Sequence, residues 1–351
     1  MSENQIPVNT QLFFENEKTQ EMRIIPYTQG EIISINDLLD NIDKYDISNG
    51  IVSEKTEDCR NTVKIQNQVV AQLYIPKGIS ASGAQIMWNK GITGTDVVVA
   101  VVDTGIADHP DLKGKVVIRR VYTGETSPPN HPHGTHVAGT IAANGTIKGV
   151  AYGAQLGDYR ALNNAGSANM NSVVSAIYQA VEDGCSVINL SLGGPSDYPP
   201  LRAAIQYAYN MNVAVIAAAG NSGDGNVNTN EYSYPAMYPT TVSVGAVDYN
   251  GINTKPAAFT VTNLEVDCSS QGVNVLSTYL TTNYMNMSGT SMAAPHIAGI
   301  AALLIQQYRL AKQTYTTTMI YSQIKAYCKD VYIRGFDNAT GHGFVTFNTN
   351  L

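Results

Sequence analysis

The chain is predicted to be an α/β protein with a doubly wound, mostly parallel central sheet and helices on both faces. Two observations lead to this prediction. Apolar runs of strand length recur after residue 96 without clean alternation, as expected for strands covered on both faces. Segments with helical periodicity separate the runs, which implies right-handed crossovers between parallel strands. The runs are Val97–Val102, Val187–Leu192, Val213–Ala219, Val242–Val247 and Val273–Thr278.

Two segments between these runs have the spacing of amphipathic helices. In Met170–Asp183 and Pro200–Asn210, apolar residues recur at intervals of three and four, so each segment would bury one face. Parallel strands joined by such helices have their carboxyl ends on one edge of the sheet, where ligands bind in open α/β folds. Side chains that carry chemistry are therefore expected directly after the apolar runs.

The composition limits the classes of function. Charged residues make up 14% of the chain, below the roughly 25% that is usual in soluble proteins. Because no basic block occurs either, a nucleic-acid partner is not expected. No apolar stretch reaches the length of about 18 residues that a membrane helix needs, so no membrane span is expected.

The first 74 residues differ from the rest in charge. They carry 12 acidic and 6 basic side chains, and so account for −6 of the net charge of −7. A helix over Ile35–Tyr45 and a strand over Thr62–Leu73 are predicted in them. The N-terminus lacks the basic start and apolar run of a signal peptide, and the four cysteines are scattered. A cytoplasmic location with free thiols is therefore expected.

Three of the apolar runs end in residues suited to catalysis or binding. Asp103 follows the first run, Ser191 lies at the end of the second, and Asn221 comes shortly after the third. A buried carboxylate such as Asp103 needs a hydrogen-bond partner. That partner could be a histidine, or the backbone of the turn at residues 105–106.

Two further candidates lie at predicted helix starts. His133 begins an apolar helix that runs to about Asn144, and Ser291 begins a long helix toward Tyr308. A lone histidine is more often structural, but its pKa near neutrality also suits proton transfer. Ser291 could be a helix N-cap, or a nucleophile placed where free backbone N–H groups favour negative charge.

The order Asp103, His133, Ser291, with Asn221 as a fourth element, and the motifs around these residues resemble the subtilisin-like serine proteases. The resemblance extends from about Ile75 to Phe347, which implies a catalytic domain over residues 75–351. The motifs that carry it are Val99–Gly105, His133–Thr140, Ser191–Gly194, Ala217–Asn221 and Gly289–His296.

The resemblance implies a serine endopeptidase and gives each of these residues a role. Ser291 would be the nucleophile, and His133 would accept its proton and pass it to the leaving amine. Asp103 would orient the histidine and stabilise the imidazolium. Asn221 would donate its side-chain amide to the oxyanion, beside the backbone N–H of Ser291. His136 would be structural.

The family binds an extended polypeptide between two edge segments, and two stretches of this chain match them. A bound substrate would add as a strand, which favours unfolded or flexible protein segments. Small residues around the first pocket, including Ala219 and Gly220, favour medium or large apolar side chains in the substrate. The matching edge residues are Gly166, Ser167 and Ala168 on one side and Ser191, Leu192 and Gly193 on the other.

The segment Arg23–Tyr27 resembles a short motif of the intracellular subtilisins, in which the N-terminal extension covers the active site and inhibits it. This implies a zymogen in which residues 1–74 are an inhibitory extension. Pro26 bends the chain and interrupts pairing, so the segment could occupy the cleft uncut. Ile24 and Ile25 could instead pack on the domain surface. Residues 28–74, which follow Tyr27, have no counterpart in that branch and could form a small inhibitory subdomain.

The implied chemistry needs no cofactor, but the family usually binds structural calcium. Asp111 matches a ligand of its strong site. The loop that supplies the other ligands, Asn144–Lys148, is shorter here, and the charge of Lys148 would repel a cation. The sequence therefore argues against a strong calcium site and leaves a weaker one open.

Other functions fit parts of the pattern. The same fold with an inactive site would be a binding protein, a pseudoprotease. A metal-dependent hydrolase would use Asp103, His133 and His136, but the two histidines lack the i, i+4 spacing of a helical zinc pair. An α/β-hydrolase esterase is disfavoured because Ser291 does not lie in a Gly-x-Ser-x-Gly motif. A homodimer is left open.

Overall fold

A computed structural model describes residues 74–125, 128–251 and 253–348, together with the backbone of four short strands nearer the N-terminus. Contacts within the chain divide it into two compact units, Met1–Tyr74 and Ile75–Leu351. No helix among the described residues has both the length and the apolar character needed to cross a bilayer.

The N-terminal unit contains two antiparallel hairpins. Strand β1 (Gln11–Glu15) pairs with β2 (Glu21–Pro26), and β3 (Tyr45–Ser48) pairs with β4 (Ile51–Glu54). Tyr45, predicted to end a helix, begins β3 instead. The rest of that predicted helix and the predicted strand at 62–73 lie outside the described residues. So does Tyr27, and so do the side chains of Ile24, Ile25 and Pro26.

The second unit is built on a ten-stranded sheet. Its strands are β5 (Val98–Asp103), β6 (Val116–Val121), β7 (Gln155–Arg160), β8 (Val187–Leu190), β9 (Ala214–Ala218), β10 (Val242–Asp248), β11 (Lys255–Pro256), β12 (Cys268–Gln271), β15 (Cys328–Lys329) and β16 (Phe344–Val345). Their spatial order in the described residues is β15-β16-β12-β10-β9-β8-β5-β7-β6, and all neighbours from β16 to β6 are parallel. Strands β11 and β15 add to the sheet antiparallel. Two further strands, β13 (Val275–Tyr279) and β14 (Asn283–Met287), lie outside this sheet.

Helices cover both faces of this sheet. They are α1 (Lys77–Ala81), α2 (Ala84–Trp88), α3 (His133–Ala142), α4 (Met170–Glu182), α5 (Pro199–Asn210), α6 (Thr290–Leu310) and α7 (Thr317–Ala326). Ala100 and Val102 of β5 pack in one core cluster with residues of two helices, α4 and α5. Because successive side chains of a strand point to opposite faces, the equally buried Val99 and Val101 face the other side, where α3 and α6 pack together. The predicted doubly wound α/β fold is confirmed.

One apolar run has a different place from the predicted one. Residues 273–278 were expected to contribute a strand to the parallel sheet. Strand β13 instead pairs antiparallel with β14 in a separate hairpin. Only residues 280–282 connect the two strands, with Leu280 at a φ of 49°. A parallel pairing of successive strands needs a crossover of a dozen or more residues, so this short turn permits only an antiparallel pair.

Candidate active site

The carboxyl ends of three neighbouring strands form one edge of the sheet. Strand β5 ends at Asp103, β8 ends just before Ser191, and β9 ends three residues before Asn221. The strands are adjacent in the order β9-β8-β5 and all parallel, so these residues lie on the same edge. This is the edge at which the sequence predicted chemistry.

Asp103 and His133 form a hydrogen-bonded pair at this edge. The Nδ1 atom of His133 lies 2.8 Å from Oδ1 and 3.0 Å from Oδ2 of the fully buried Asp103. Asp103 also accepts a hydrogen bond from the backbone N–H of Thr104. The carboxylate therefore holds the histidine proton on Nδ1, which leaves Nε2 as the acceptor of the neutral ring.

The pKa of His133 reflects two opposing effects. Burial alone lowers the pKa, but the negative charge of Asp103 and its hydrogen bond favour the imidazolium more strongly, and the pKa is raised above its usual value of 6.5. A histidine whose pKa is raised in this way takes up a proton readily, and the carboxylate of Asp103 stabilises its charged form. That is the property a general base requires.

The first turn of α3 brings this histidine close to the strand. Helix α3 begins at His133, whose backbone N–H donates to Nδ1 of His131 (3.3 Å). The N–H of Gly134 donates to Oγ1 of Thr104. A Cβ atom on Gly134 would lie 2.5 Å from the carbonyl oxygen of Gly105, so only glycine permits this approach.

Ser291 is the second residue of α6, and Gly289 is the N-cap. The N-cap alternative for this serine is therefore wrong. Its Oγ donates to the backbone carbonyl of Ser191 at 3.2 Å, and Oγ of Ser191 donates to the carbonyl of Ser291 at 2.8 Å. Ser191 in turn accepts from Nδ2 of Asn189 at 2.9 Å. Within the described residues, the Ser291 hydroxyl is thus hydrogen-bonded to Ser191, directly after β8, and not to His133.

Asn221 is oriented by the residue that precedes Ser291. Its Oδ1 accepts from both the backbone N–H and the Oγ1 hydroxyl of Thr290, at 2.8 and 2.9 Å. A backbone N–H can only donate, so the oxygen of the amide is identified and Nδ2 is left to donate elsewhere. Thr290 was missed in the sequence, although its place directly before Ser291 at a helix start was visible.

Two cavities meet at Leu192 and Gly193. One has a volume of about 590 Å³ and is lined by His133 on one side and the 165–168 segment on the other. The second, of about 380 Å³, is lined by Ser291 and Asn221. Of the predicted substrate-binding residues, Gly166, Ser167, Ala168, Ser191, Leu192 and Gly193 line the first cavity, and Leu192, Gly193 and Gly220 line the second.

Ala219 does not line either cavity, contrary to the sequence prediction. Its side chain is fully buried in a small cluster with Val261 and Val266. Neighbouring residues alternate in direction at the end of β9, so Ala218 lines the smaller cavity and Ala219 points into the core.

His136 has the surroundings of a structural residue. Its Nε2 lies 2.9 and 3.0 Å from the carbonyl oxygens of Val275 and Met285. Complete burial lowers its pKa to about 4, so the ring stays neutral at physiological pH. Its Nε2 donates to carbonyl oxygens, and no group of three or more potential ligands that could hold a metal ion occurs among the described residues, which argues against the metal-hydrolase alternative.

Asp111 lies in a pocket of backbone amides. Its Oδ1 accepts from the N–H of Thr146 at 2.9 Å, and Oδ2 accepts from the N–H of Ile147 at 2.8 Å. A Cβ atom on Gly145 would lie 2.1 Å from Oδ1, so the loop closes directly on the carboxylate. Lys148 extends over the ring of Tyr152 at 3.8 Å.

This arrangement does not fit a calcium ion at Asp111. Calcium needs six to eight oxygen ligands, whereas the short loop presents N–H donors to both oxygens of this carboxylate. Within the stretches of chain that the structure describes, no group of three or more histidine, cysteine or acidic side chains could hold a metal ion. Hydrogen bonds therefore satisfy the carboxylate that the resemblance assigned to the strong site.

An α/β sheet with an aspartate–histidine pair, a serine at a helix N-terminus and an oriented asparagine on one edge is typical of a serine-dependent hydrolase. Comparison with known proteins identifies which kind. The model of the Subtilase family matches residues 94–343, and the chain belongs to that family. It is a subtilisin-like serine protease, as the sequence predicted.

Individual relatives agree with this assignment. The chain is 41% identical over 248 residues to the major intracellular serine protease of Bacillus subtilis. The aligned region covers 68% of this chain and 77% of the relative. It is 40% identical over 262 residues to the intracellular serine protease of Paenibacillus polymyxa, with coverages of 71% and 79%. Subtilisin DY of Bacillus licheniformis is 42% identical over 239 residues, with coverages of 67% and 85%.

Proposed function

We propose that this protease is an endopeptidase that cleaves flexible polypeptide segments through an acyl-enzyme on Ser291. The observation that carries the proposal is the hydrogen-bonded pair of Asp103 and His133 on the same sheet edge as Ser291 and Asn221. Acyl transfer requires a nucleophile, a base, an orienting carboxylate and oxyanion donors, and these four residues have the groups that would supply them.

The first half-reaction forms the acyl-enzyme. Oγ of Ser291 attacks the carbonyl carbon of the scissile bond while Nε2 of His133 takes its proton, and Asp103 stabilises the resulting imidazolium. The carbonyl oxygen becomes an oxyanion that accepts hydrogen bonds from Nδ2 of Asn221 and the backbone N–H of Ser291. When the C–N bond breaks, His133 returns the proton to the leaving amine.

The second half-reaction releases the acyl group. A water molecule gives one proton to His133 and attacks the ester carbon, and the same donors hold the oxyanion. Collapse of this intermediate breaks the bond to Oγ, which recovers the proton from His133, and the new carboxyl terminus departs. Ser291 is thereby restored.

The contact between the Ser291 hydroxyl and the carbonyl of Ser191 is a resting arrangement in this proposal. Rotation about the Cα–Cβ bond moves Oγ among staggered positions without any backbone movement. Hydrogen bonds between nucleophile and base are often long before substrate binds and shorten in the complex. Ser191 would then hold the serine backbone in place through its own hydroxyl while Oγ turns to His133.

Substrate would lie between the Gly166–Ala168 and Ser191–Gly193 segments. Both segments line the larger cavity, and a peptide extended between them could add backbone hydrogen bonds on each side. Such a strand is available only in unfolded or flexible regions of a protein. The small residues Ala218, Gly220 and Ser222 along the second cavity favour a medium or large apolar side chain there.

The N-terminal unit would act as an inhibitor that is removed on activation. Support comes from the motif of residues 23–27 and from the observation that Glu21–Pro26 forms a strand that ends at the proline. Names of the relatives favour a cytoplasmic location. A homodimer stays a proposal.

A serine-directed fluorophosphonate probe tests the proposed chemistry. It should label the chain on Ser291 and stop proteolysis of an unfolded protein, and Ser291→Ala should neither label nor cleave. Lack of labelling together with lack of proteolysis in the unsubstituted, N-terminally trimmed protein would instead support the pseudoprotease.

A further inference from the structure

A partly buried ion pair lies beside the predicted catalytic residues and takes no part in the chemistry described above. The guanidinium of Arg160 contacts the carboxylate of Glu125 through Nη2, and the Arg160 side chain is only 3% exposed. The same Nη2 donates to Oδ1 of Asn164 at 2.7 Å. The backbone N–H of Asn164 donates back to Oε1 of Glu125 at 3.2 Å, so the three residues form a closed ring of hydrogen bonds.

The ring is anchored in the sheet next to Asp103. Arg160 is the last residue of β7 and pairs directly with Asp103 at the end of β5. A Cβ atom on Gly105 would lie 3.0 Å from Cδ of Arg160, so the arginine stem packs against the turn that follows Asp103. The guanidinium therefore has a fixed position relative to the Asp103–His133 pair.

Two surface segments are joined by this ring. Glu125 and Asn130 belong to the segment that leads into His133, and the N–H of Asn130 donates to Oδ1 of Asn164 at 3.2 Å. Asn164 belongs to the segment that continues into Gly166–Ala168, the proposed substrate edge. That edge is short and exposed, and Asn164 ties its start to Glu125, Arg160 and Asn130.

The edge itself is internally tied, so it should move as a unit. Oδ1 of Asn163 accepts from the N–H groups of Ala165 and Ser167, at 2.9 and 3.0 Å. The N–H of Asn163 donates to the carbonyl of Ser167 at 2.9 Å, and Leu162 forms an antiparallel bridge with Ala168. A shift of Asn164 would therefore carry the whole edge with it.

We propose that Glu125, Arg160 and Asn164 position the Gly166–Ala168 edge for extended polypeptide substrates, and that they do not act on the reacting bond. Loss of the Glu125 carboxylate removes the ionic partner that links the buried guanidinium to the segment before His133, and removes an acceptor of the Asn164 N–H. Because losing one partner of a buried charge is costly, the segments that the ring joins are expected to shift. The inference rests on the proposed endopeptidase function. The positioning role would explain why a chain with only 14% charged residues has a buried arginine at position 160.

Kinetics with two substrates test this positioning role. An ester of one N-acylated amino acid reaches only the cavity beside Ser291, whereas a peptide of eight or so residues also reaches the 590 Å³ cavity along the edge. Glu125→Gln keeps the size of the side chain and removes its charge. It should lower kcat/KM for the peptide about tenfold, mainly through KM, and leave the ester within about twofold, because uniform binding is lost and transition-state contacts are not.

Further variants separate this role from general destabilisation. Asn164→Ala should give the same split without any change in charge, which keeps the test open if Glu125→Gln folds poorly. Arg120→Gln breaks the surface ion pair of Arg120 with Asp183 and should leave kcat/KM unchanged for both substrates. An equal loss for both substrates, or no loss for either, in both Glu125→Gln and Asn164→Ala would overturn the inference. All variants are compared in the N-terminally trimmed protein, because the N-terminal unit is proposed to inhibit. If the unsubstituted trimmed protein hydrolysed neither substrate, the proposed function would fail first, and the inference with it.

Discussion

Thr290 donates two hydrogen bonds to one atom, Oδ1 of Asn221, from its backbone N–H at 2.8 Å and its hydroxyl at 2.9 Å. Oγ1 of Thr290 also accepts from the backbone N–H of Gly220 at 3.1 Å. The residue that orients the proposed oxyanion donor thus directly precedes the proposed nucleophile, Ser291, in the first turn of α6. A displacement of this turn would disturb both groups together.

Replacement of Thr290 by valine should lower kcat more than it raises KM. Valine has the same shape but loses the hydroxyl, so Asn221 keeps one of its two orienting bonds and the N–H of Gly220 loses its acceptor. Complete removal of such an oxyanion donor costs roughly 10²–10³-fold in kcat, a magnitude established for the corresponding asparagine of a related subtilisin. We expect about tenfold for Thr290→Val, measured with a short chromogenic peptide.

A matched control for this variant is Thr290→Ser, which keeps the hydroxyl and removes only a methyl group. It should stay within about threefold of the unsubstituted enzyme. Equal activity of the valine and serine variants would show that the hydroxyl of Thr290 does not orient Asn221.

Activity should depend on the protonation of His133. The base must be neutral to accept the proton of Ser291, so kcat/KM should fall as pH drops through the pKa of the free enzyme. That pKa is raised above 6.5 by the charge and hydrogen bond of Asp103, which outweigh burial. The midpoint of the acid limb should therefore lie above pH 6.5 in a plot of kcat/KM against pH.

Asp103→Asn gives the complementary result. Without the carboxylate, burial is the remaining influence, so the midpoint of any residual activity should move to lower pH. The rate should also fall by about 10⁴-fold, because the imidazole no longer has its proton held on Nδ1. An acid limb that stayed at the same pH in Asp103→Asn would mean that this pair does not control the titration.

Parts of the site could be predicted from sequence because they follow from order along the chain. Asp103 and Asn221 closely follow apolar runs, and parallel strands put the ends of such runs on one edge whatever the details of packing. The direction of a single side chain is not fixed in this way. Ala219 and Ala218 have the same chemistry, and only the strand end decides which of them faces the cavity.

Contacts between segments far apart in the sequence could not be predicted, for a different reason. Thr290 and Asn221 are 69 residues apart, and Asn164 and Glu125 are 39 apart. Neither pair has a periodicity or a motif that joins its members. Such contacts depend on loop conformations that only the folded chain defines, and polar residues of this kind are common in any surface loop.

The loop at residues 144–148 should stabilise the fold without calcium. Gly145→Ala would place a Cβ atom 2.1 Å from Oδ1 of Asp111, so the loop must shift and both amide hydrogen bonds weaken. We expect the free energy of unfolding to fall by about 1–3 kcal/mol. Urea denaturation of the Ser291→Ala protein, which cannot digest itself, measures this loss.

Calcium titrations of the melting temperature address the same loop. Any calcium dependence should be identical in the parent and in Asp111→Asn, because the ion is not expected at Asp111. Asp108→Asn is the matched control, since Asp108 is an exposed carboxylate nearby that contacts Arg119. A calcium-dependent rise in the parent that disappears only in Asp111→Asn would show that this carboxylate does bind the ion.

Removal of residues 1–74 should increase activity if the N-terminal unit inhibits. A tethered segment acts at an effective concentration of the order of mM, so even an inhibitor with a Kd near 100 µM would occupy about nine tenths of the active sites. The truncated chain should therefore be about tenfold more active toward a short peptide. The separate 1–74 polypeptide added at about 1 mM should reverse this gain, whereas a scrambled polypeptide of the same composition should not. Equal or lower activity of a folded truncated chain, shown by an unchanged fluorophosphonate labelling yield, would mean that the segment has a role other than inhibition.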